Sequence, residues 1–520
     1  MPHDSQPNPA EADRQDLLAA SRRIDWRFLL PDPRLRRVAL AGAGSADLRE
    51  ALALLGAELV EGSEAPDVLV VAGADAEALE AAAGLVPPGG FLYAELRGPF
   101  ARPEGALALL RRLGFDDPTA HWHYPSFDRC EEIVPLGSEE VVRHALGRRA
   151  SRLRRSVGRL LHATGLLARA VPCVSVLGRR LDAGEPAGMP APNGATSLLA
   201  SPDLRSLLVT PRFAASRHVV FLLFPPREDE PSLVAKMPRL PDDVGGIERE
   251  AVALGALDRL RADGFDGAPR IVAFEDEPGR ALLAETALPG RPITPAEVRR
   301  SPDRCLDAVV SLLTQIGVAD ARAASEDPGW YERLLEEPLR RLAASFEGGD
   351  EPLLVERTLE LVSPLRDAQI PLVLEHGDVS HPNLLLHGGG QAALIDWELS
   401  EPRGLPAHDL FFFLAYLTFA LRRAGSTERR RAVFRETFFG PREAYGETVV
   451  AYAERLGAPV LLLRPLFVAC WARYAAQLTT RLRVTGGEGR ASAASLRRHR
   501  DYALWRETVE SAGELRLPGA

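Results

Sequence analysis

Over the first 180 residues, short apolar runs of strand length alternate with longer stretches of helical period. A strand over 37–41 enters a glycine turn at Gly42 and Gly44, and a helix follows over 48–55. Next come residues 57–60 ending in Glu61, a strand over 67–71, a helix around 76–83, the turn Pro87-Pro88-Gly89-Gly90 and a strand over 91–95. Strands that alternate with helices predict a parallel, doubly wound α/β sheet. Gly42 and Gly44 would free the turn for a nucleotide, and Glu61, nineteen residues after Gly42, is placed to take a ribose hydroxyl.

The pattern changes after a stretch rich in Pro, Gly and Ala at 181–194, which reads as a linker. Residues 232–237 form an apolar run of strand length with Lys236 inside it, and residues 246–257 carry a helical period. A second strand over 281–286 runs into a break at Pro289-Gly290. Later, the polar segment 376–383 leads into Leu384-Leu385-Leu386, a Gly388-Gly389-Gly390 turn, and a short strand that delivers Asp396. This predicts a β-hairpin with acids at its mouth. Residues 410–421 are apolar all round, which predicts a buried helix; a dozen residues fall short of the roughly 20 needed to span a bilayer. A last amphipathic helix is expected over 491–511, after a glycine-rich break at 485–489.

Composition sharpens one position. Lys236 is the only lysine among 63 Lys and Arg residues. On a solvated surface the two are interchangeable, but an ammonium is a compact point charge where a guanidinium is a wide planar fork. Such a charge within a strand suits the α/β-phosphates of a nucleotide. Asp378 and Asn383, with four residues between them, and Asp396 on the return strand can converge on one pocket. Phosphoryl transfer needs such a set: a carboxylate for the acceptor hydroxyl, and an amide oxygen with a second carboxylate for Mg²⁺.

The run His376-Gly377-Asp378 with Asn383, followed by Ile395-Asp396-Trp397-Glu398, resembles the aminoglycoside phosphotransferase and choline kinase-like group, a small-molecule branch of the protein-kinase fold. The resemblance covers about residues 205–480 and implies an α+β bilobal kinase-like domain, with a small lobe over 201–290 and a large lobe over 291–520. It implies Asp378 as catalytic base, Asn383 and Asp396 as Mg²⁺ ligands, Lys236 on the phosphates of ATP or GTP, and His376 as support for the catalytic loop. The partner of Lys236 should come from the helix over 246–257. Glu250 shares a face with Leu254 and Leu257 and is the first choice, Glu248 the second. Glu285, Thr286 and Ala287 match the adenine-binding hinge, and Asp409 in Pro406-Ala407-His408-Asp409 matches an acid that buttresses the site. One departure stands out: residues 209–220, where a glycine-bearing turn normally covers the phosphates, contain no glycine. Ala214, Ala215 and Ser216 are small enough to let the backbone approach, and Arg212 or Arg217 either supplies charge or is an ordinary solvated arginine.

The front part, residues 24–181, resembles an S-adenosylmethionine-dependent methyltransferase domain in the turn-strand 87–93, the helix end 109–115 and a closing strand over 171–177. Ala46 replaces a third glycine, and the run from Glu61 to Asp67 is too short for a further βα unit that helps wall the cofactor pocket. The resemblance therefore implies a reduced, non-catalytic domain, with S-adenosylmethionine a candidate cofactor on the glycine turn. His121 and His123 share a strand face near Cys130 but lack a fourth ligand at metal-site spacing.

A net charge of −9 and a pI near 5.8 argue against general nucleic-acid binding. Four scattered cysteines without C-x-x-C spacing point to a reducing cytoplasm rather than a disulfide framework. Residues 1–23 are polar and acidic and read as a disordered lead rather than a signal peptide. Arg148, Arg149, Arg152, Arg154, Arg155 and Arg159 stud one amphipathic segment, which reads as a solvated helix face, with anionic lipid as the alternative. Three functions compete: ATP- or GTP-dependent phosphorylation of a small-molecule hydroxyl, a catalytically silent scaffold, and methyl transfer by the front domain. Glu398 and Glu401 are the acids available for a cationic aminoglycoside- or choline-like acceptor; a sugar- or lipid-linked acceptor is equally open. Nothing in the sequence indicates an oligomeric state.

Overall fold

The computed structural model describes residues 18, 20–42, 46–61, 65–96, 103–148, 152–182, 197–199, 201, 203–210, 216–277, 281–346, 348–441, 444–481 and 493–518. The chain forms two compact units, residues 1–247 with 272–287, and residues 248–271 with 288–520. The 1–23 lead, most of the linker, the glycine-free stretch 211–215 and the break at 485–489 fall largely or wholly outside the described residues.

The first unit is built on one twelve-stranded sheet. Its strands are β1 (Arg37–Gly42), β2 (Glu58–Leu59), β3 (Val68–Ala74), β4 (Phe91–Leu96), β5 (Phe115–Tyr124), β6 (Glu132–Pro135), β7 (Val174–Arg180), β8 (Arg205–Val209), β9 (His218–Phe224), β10 (Leu233–Pro238), β11 (Ile271–Glu275) and β12 (Leu282–Thr286). Their spatial order is β11-β12-β10-β9-β8-β6-β5-β7-β4-β3-β1-β2. At one end β2, β1, β3 and β4 pair in parallel, as the strand-helix alternation predicts. The closing strand β7 inserts antiparallel between β4 and β5. Parallel strands are covered on both faces and so read as near-continuous apolar runs. β3 shows this: Val68, Val70 and Ala72 enter one core cluster and Leu69 and Val71 another. Full burial of a Val or Leu side chain contributes roughly 1.5–3 kcal/mol.

The linker does not separate two sheets. β6 pairs antiparallel with β8, setting Glu132 against Val209 and Ile133 against Leu208, so the front strands run directly into those of the expected small lobe. The core is continuous as well: Val38, Val70 and Tyr93 share a cluster with Phe221, Ala235 and Ala284.

The second unit is mainly helical. It carries the short strands β13 (Arg291–Pro292), β14 (Arg322–Ala323), β15 (Pro371–Glu375), β16 (Leu384–Leu386), β17 (Ala392–Leu394) and β18 (Glu401–Gly404). The expected hairpin is β16-β17, antiparallel with Leu384 opposite Leu394 and Leu386 opposite Ala392. Gly390 takes φ +88 in its turn, a conformation costly for other residues. The apolar stretch forms the helix His408–Leu421, with Phe411, Phe413 and Leu414 wholly buried. The single helix expected over 491–511 is instead two, Ala493–Arg498 and Arg500–Glu510. His499 between them is extended, and its ring accepts from the Asp501 N–H, capping the second helix and breaking the first. Among the described residues no helix is long and apolar enough to cross a membrane.

Candidate active site

The loop after β15 is held from behind by Asp409. Its carboxylate accepts from the His376 N–H at 2.6 Å and the Gly377 N–H at 2.9 Å. Burial, with Glu375 close by, pushes the Asp409 carboxyl up to about 7. Gly377 sits at φ +84, and a Cβ there would lie 2.5 Å from the Leu399 carbonyl oxygen, so only glycine fits. The buried His376 ring accepts from the Asp378 N–H at Nδ1 (3.2 Å). Nδ1 is therefore unprotonated, and Nε2 donates to the Ile395 carbonyl at 3.0 Å. Both ring nitrogens are committed to backbone, which makes His376 a brace between the loop and the strand that delivers Asp396.

Asp378 itself is gripped by its own loop. Oδ1 accepts from Ser380 Oγ at 2.8 Å and Oδ2 from Asn383 Nδ2 at 3.1 Å. Asn383 Nδ2 also donates to the Asp378 carbonyl at 3.2 Å. With the amide nitrogen turned inward, Oδ1 of Asn383 is the atom left to face a cation. The Ile395 N–H donates to the Asn383 carbonyl at 3.0 Å, which sets Asp396 beside the loop. Asp396 adopts φ +70, a left-handed conformation that Asp tolerates better than most residues. Immediately after it, the Trp397 N–H donates to Oε1 of the wholly buried Glu250 at 2.9 Å, and Arg249 Nε donates to the Glu398 carbonyl at 2.9 Å. The helix Gly245–Asp258 thus pins the chain on the far side of Asp396, with Glu250 inward as its spacing predicts and Glu248 exposed.

In the first unit, Lys236 lies in β10 opposite Leu283 of β12 and is 7% exposed. Its Nζ is 3.8 Å from Glu285 Oε1, two residues along the neighbouring strand on the same face. Glu285, expected for its backbone, therefore also brings a carboxylate to the lysine. Thr286 pairs with Leu233, and the Ala287 N–H donates to the Ser232 carbonyl at 2.9 Å, so that donor is committed to the sheet. Ser216 is fixed through its carbonyl, which accepts from Arg239 Nη1 at 2.9 Å. Arg217 pairs with Asp243 at 3.5 Å rather than standing unpartnered in solvent. Arg212, Ala214 and Ala215 lie outside the described residues.

The segment Arg22–Leu29 packs into the core cluster that also holds Val38, Val70 and Tyr93 of the front sheet. Arg23 bonds Glu95 at 2.6 and 2.8 Å and also pairs with Asp47. Trp26 stacks on Tyr93, with ring centroids 3.9 Å apart and 6° between planes. Gly42 is explained by packing, since a Cβ there would fall 2.1 Å from the Ala72 carbonyl oxygen of β3. Glu61 is exposed at the end of β2. Sequence reasoning did not anticipate this packing, because Arg23 and Trp26 fall at the edge of a segment read as a disordered lead. Of the acids considered for a cationic acceptor, Glu401 is held by Arg333 at 2.8 Å.

Residues 215–446 match the model of the phosphotransferase enzyme family. Among solved structures the chain is similar to a macrolide 2'-phosphotransferase from Brachybacterium faecium (21% identity, 58% of this chain and 91% of that one, TM-score 0.37). It is also similar to an ethanolamine kinase from Plasmodium vivax (12%, 59% and 82%, 0.36) and a choline/ethanolamine kinase family protein from Mesorhizobium loti (15%, 61% and 94%, 0.35). No curated protein matches the chain significantly.

Proposed function

We propose that the chain transfers the γ-phosphoryl group of ATP or GTP to a hydroxyl of a small molecule. The observation that carries this reading is the hold on Asp378. Its two carboxylate oxygens accept from Ser380 and Asn383, which fixes their direction and leaves their remaining lone pairs for an incoming hydroxyl. In this reading the acceptor oxygen bonds to the γ-phosphorus, the bond to the β,γ-bridging oxygen breaks, and Asp378 takes the hydroxyl proton. Lys236, oriented by Glu285, holds the α/β-phosphates. Residues 285–287 at the end of β12 take the adenine or guanine, and the backbone at Ser216 approaches the phosphates. Asn383 Oδ1 and the Asp396 carboxylate are hard oxygen donors that fit Mg²⁺, which would neutralise phosphate charge when bound. His376, Asp409 and Glu250 position these groups without touching the reactants.

The front sheet is assigned no chemistry. Arg23 bonds Glu95 and Trp26 stacks on Tyr93 of β4, contacts within the chain that favour a structural role for this sheet over methyl transfer. A thermal-shift series on the full chain with Mg·ATP, Mg·GTP and S-adenosylmethionine tests the reading. A ligand at a hundredfold excess over Kd stabilises the folded state by about 2.7 kcal/mol. A shift with Mg·nucleotide that is lost in Asp396→Ala is expected; no shift at millimolar Mg·ATP or Mg·GTP would favour the silent scaffold.

A further inference from the structure

Beside the catalytic loop, the second unit holds a cavity of about 420 Å³ that Ser380 lines. Ser380 donates to Asp378 at 2.8 Å, so a molecule in this cavity lies one side chain away from the carboxylate assigned as base. Its charged lining is one-sided: Arg299, Arg423, Arg430 and Arg500 contribute, and among the described residues no Asp or Glu does.

Two acids lie just behind the lining: Asp378, which accepts from Ser380, and Asp501, wholly buried and bound to Arg500 Nε at 2.6 Å. Arg500 also lies with its guanidinium carbon 5.6 Å from the Phe412 ring centroid, so it is held in place. Arg299 Nη1 donates to the Ala420 carbonyl at 3.1 Å and Arg430 Nε to the Ala424 carbonyl at 3.0 Å. These are neutral partners, and each guanidinium keeps further donors in its fork. Neither Arg299, Arg423 nor Arg430 has an ion-pair partner among the described residues. A second observation points the same way. Trp471 lines the cavity, is 1% exposed, and its indole N–H has no acceptor among the described residues. Buried indole donors usually find a partner. The rest of the lining is largely apolar and aromatic, including Phe419 and Tyr416.

We propose that the acceptor is anionic: a ring-bearing hydroxyl compound with a phosphate or carboxylate that Arg299, Arg423 and Arg430 engage. The inference rests on the phosphotransferase reading and specifies the substrate class of that site. Cationic acceptors of the aminoglycoside or choline kind are disfavoured here, because like charge in a confined pocket rejects a ligand more strongly than an absent contact does. Glu398 and Glu401, the acids available to hold such a cation, do not line the cavity.

Calorimetry on the full chain with three ring probes of similar size tests this: phenyl phosphate, benzyl alcohol and phenyltrimethylammonium. Wild type should bind phenyl phosphate at least tenfold more tightly than the other two, and Arg423→Gln and Arg299→Gln should each weaken it about three- to tenfold. Equal or tighter binding of the cation or the alcohol to wild type overturns the proposal. So does unchanged phenyl phosphate affinity in both folded variants, which would place the anion elsewhere. Mg·ATP titrated into the same wild-type sample reports separately: anion binding that depends on the arginines without any nucleotide binding would refute the phosphotransferase reading while leaving an anion pocket.

Discussion

Arg239 Nη2 donates to Asp25 Oδ2 at 2.9 Å, joining residues 214 positions apart with both side chains at most 1% exposed. The other arm of the same guanidinium holds the Ser216 carbonyl, and Arg27 donates to the Arg239 carbonyl. The segment Arg22–Leu29 is therefore part of the support for the proposed phosphate-covering backbone.

Removing one member of a buried ion pair leaves the other charged and unsolvated, at a cost of about 3–5 kcal/mol. Asp25→Ala should lower the unfolding free energy extrapolated from urea titration by that amount, whereas Asp32→Ala, which breaks the surface pair with Arg34 at 2.7 Å, should cost under about 1 kcal/mol. Similar midpoints for the two variants would show that the Arg22–Leu29 segment contributes nothing to the lobe.

Lys236→Arg keeps the charge in a chain that uses Arg everywhere else. The wider, planar fork must displace either the phosphates or Glu285, and a misplacement of about 1 Å costs roughly a hundredfold. The expected result is a fall of that order in kcat/KM for nucleotide with an unchanged melting temperature. Equal kcat/KM would make the lone lysine an accident of composition.

Asp378→Asn should reduce kcat by about 10²–10⁴, since an amide cannot take the hydroxyl proton. The nucleotide-induced thermal shift should survive, because the groups proposed to hold Mg·nucleotide, Lys236, residues 285–287, Asn383 and Asp396, are all retained. Turnover at the wild-type rate on an identified acceptor would remove Asp378 from its role.

Asp409 yields a pH signature. Its folded-state value of about 7 lies above the ordinary carboxyl value of 3.8, so the folded protein holds a proton that the unfolded chain has released between those limits. Stability from this group is complete below about pH 4 and is lost as pH rises toward and through 7. Melting temperatures measured from pH 5 to 7.5 should therefore fall in wild type, and the fall should be shallower in Asp409→Asn. Parallel profiles would indicate that the two backbone N–H donors keep Asp409 ionised throughout.

What the chain discloses by itself is what local pattern controls. The strand around Lys236, the β16-β17 hairpin with its glycine turn, and the buried helix beginning at His408 follow from alternation, turn chemistry and apolar period. The braces missed or underspecified depend on pairing and register, which no local pattern encodes. Glu285 meets Lys236 only once β10 and β12 are aligned as they are, and Ile133 faces Leu208 only because β6 and β8 pair across the linker. The cavity arginines likewise come from 299, 423, 430 and 500, four helices or turns with no common motif. The break at His499 was missed for a different reason: the capping ring overrides a helical period that continues on both sides.

The family match begins at residue 215, yet β8 ends at Val209 and hydrogen-bonds β9 along its whole length. A fragment started at the family boundary would retain β9 and discard its neighbour, leaving a row of unpaired N–H and C=O groups as a template for another copy of the chain. The stretch that matches the family model is therefore not a stretch that can be excised. Attempts to isolate it at that point should give aggregates, and a soluble fragment requires β8 as well.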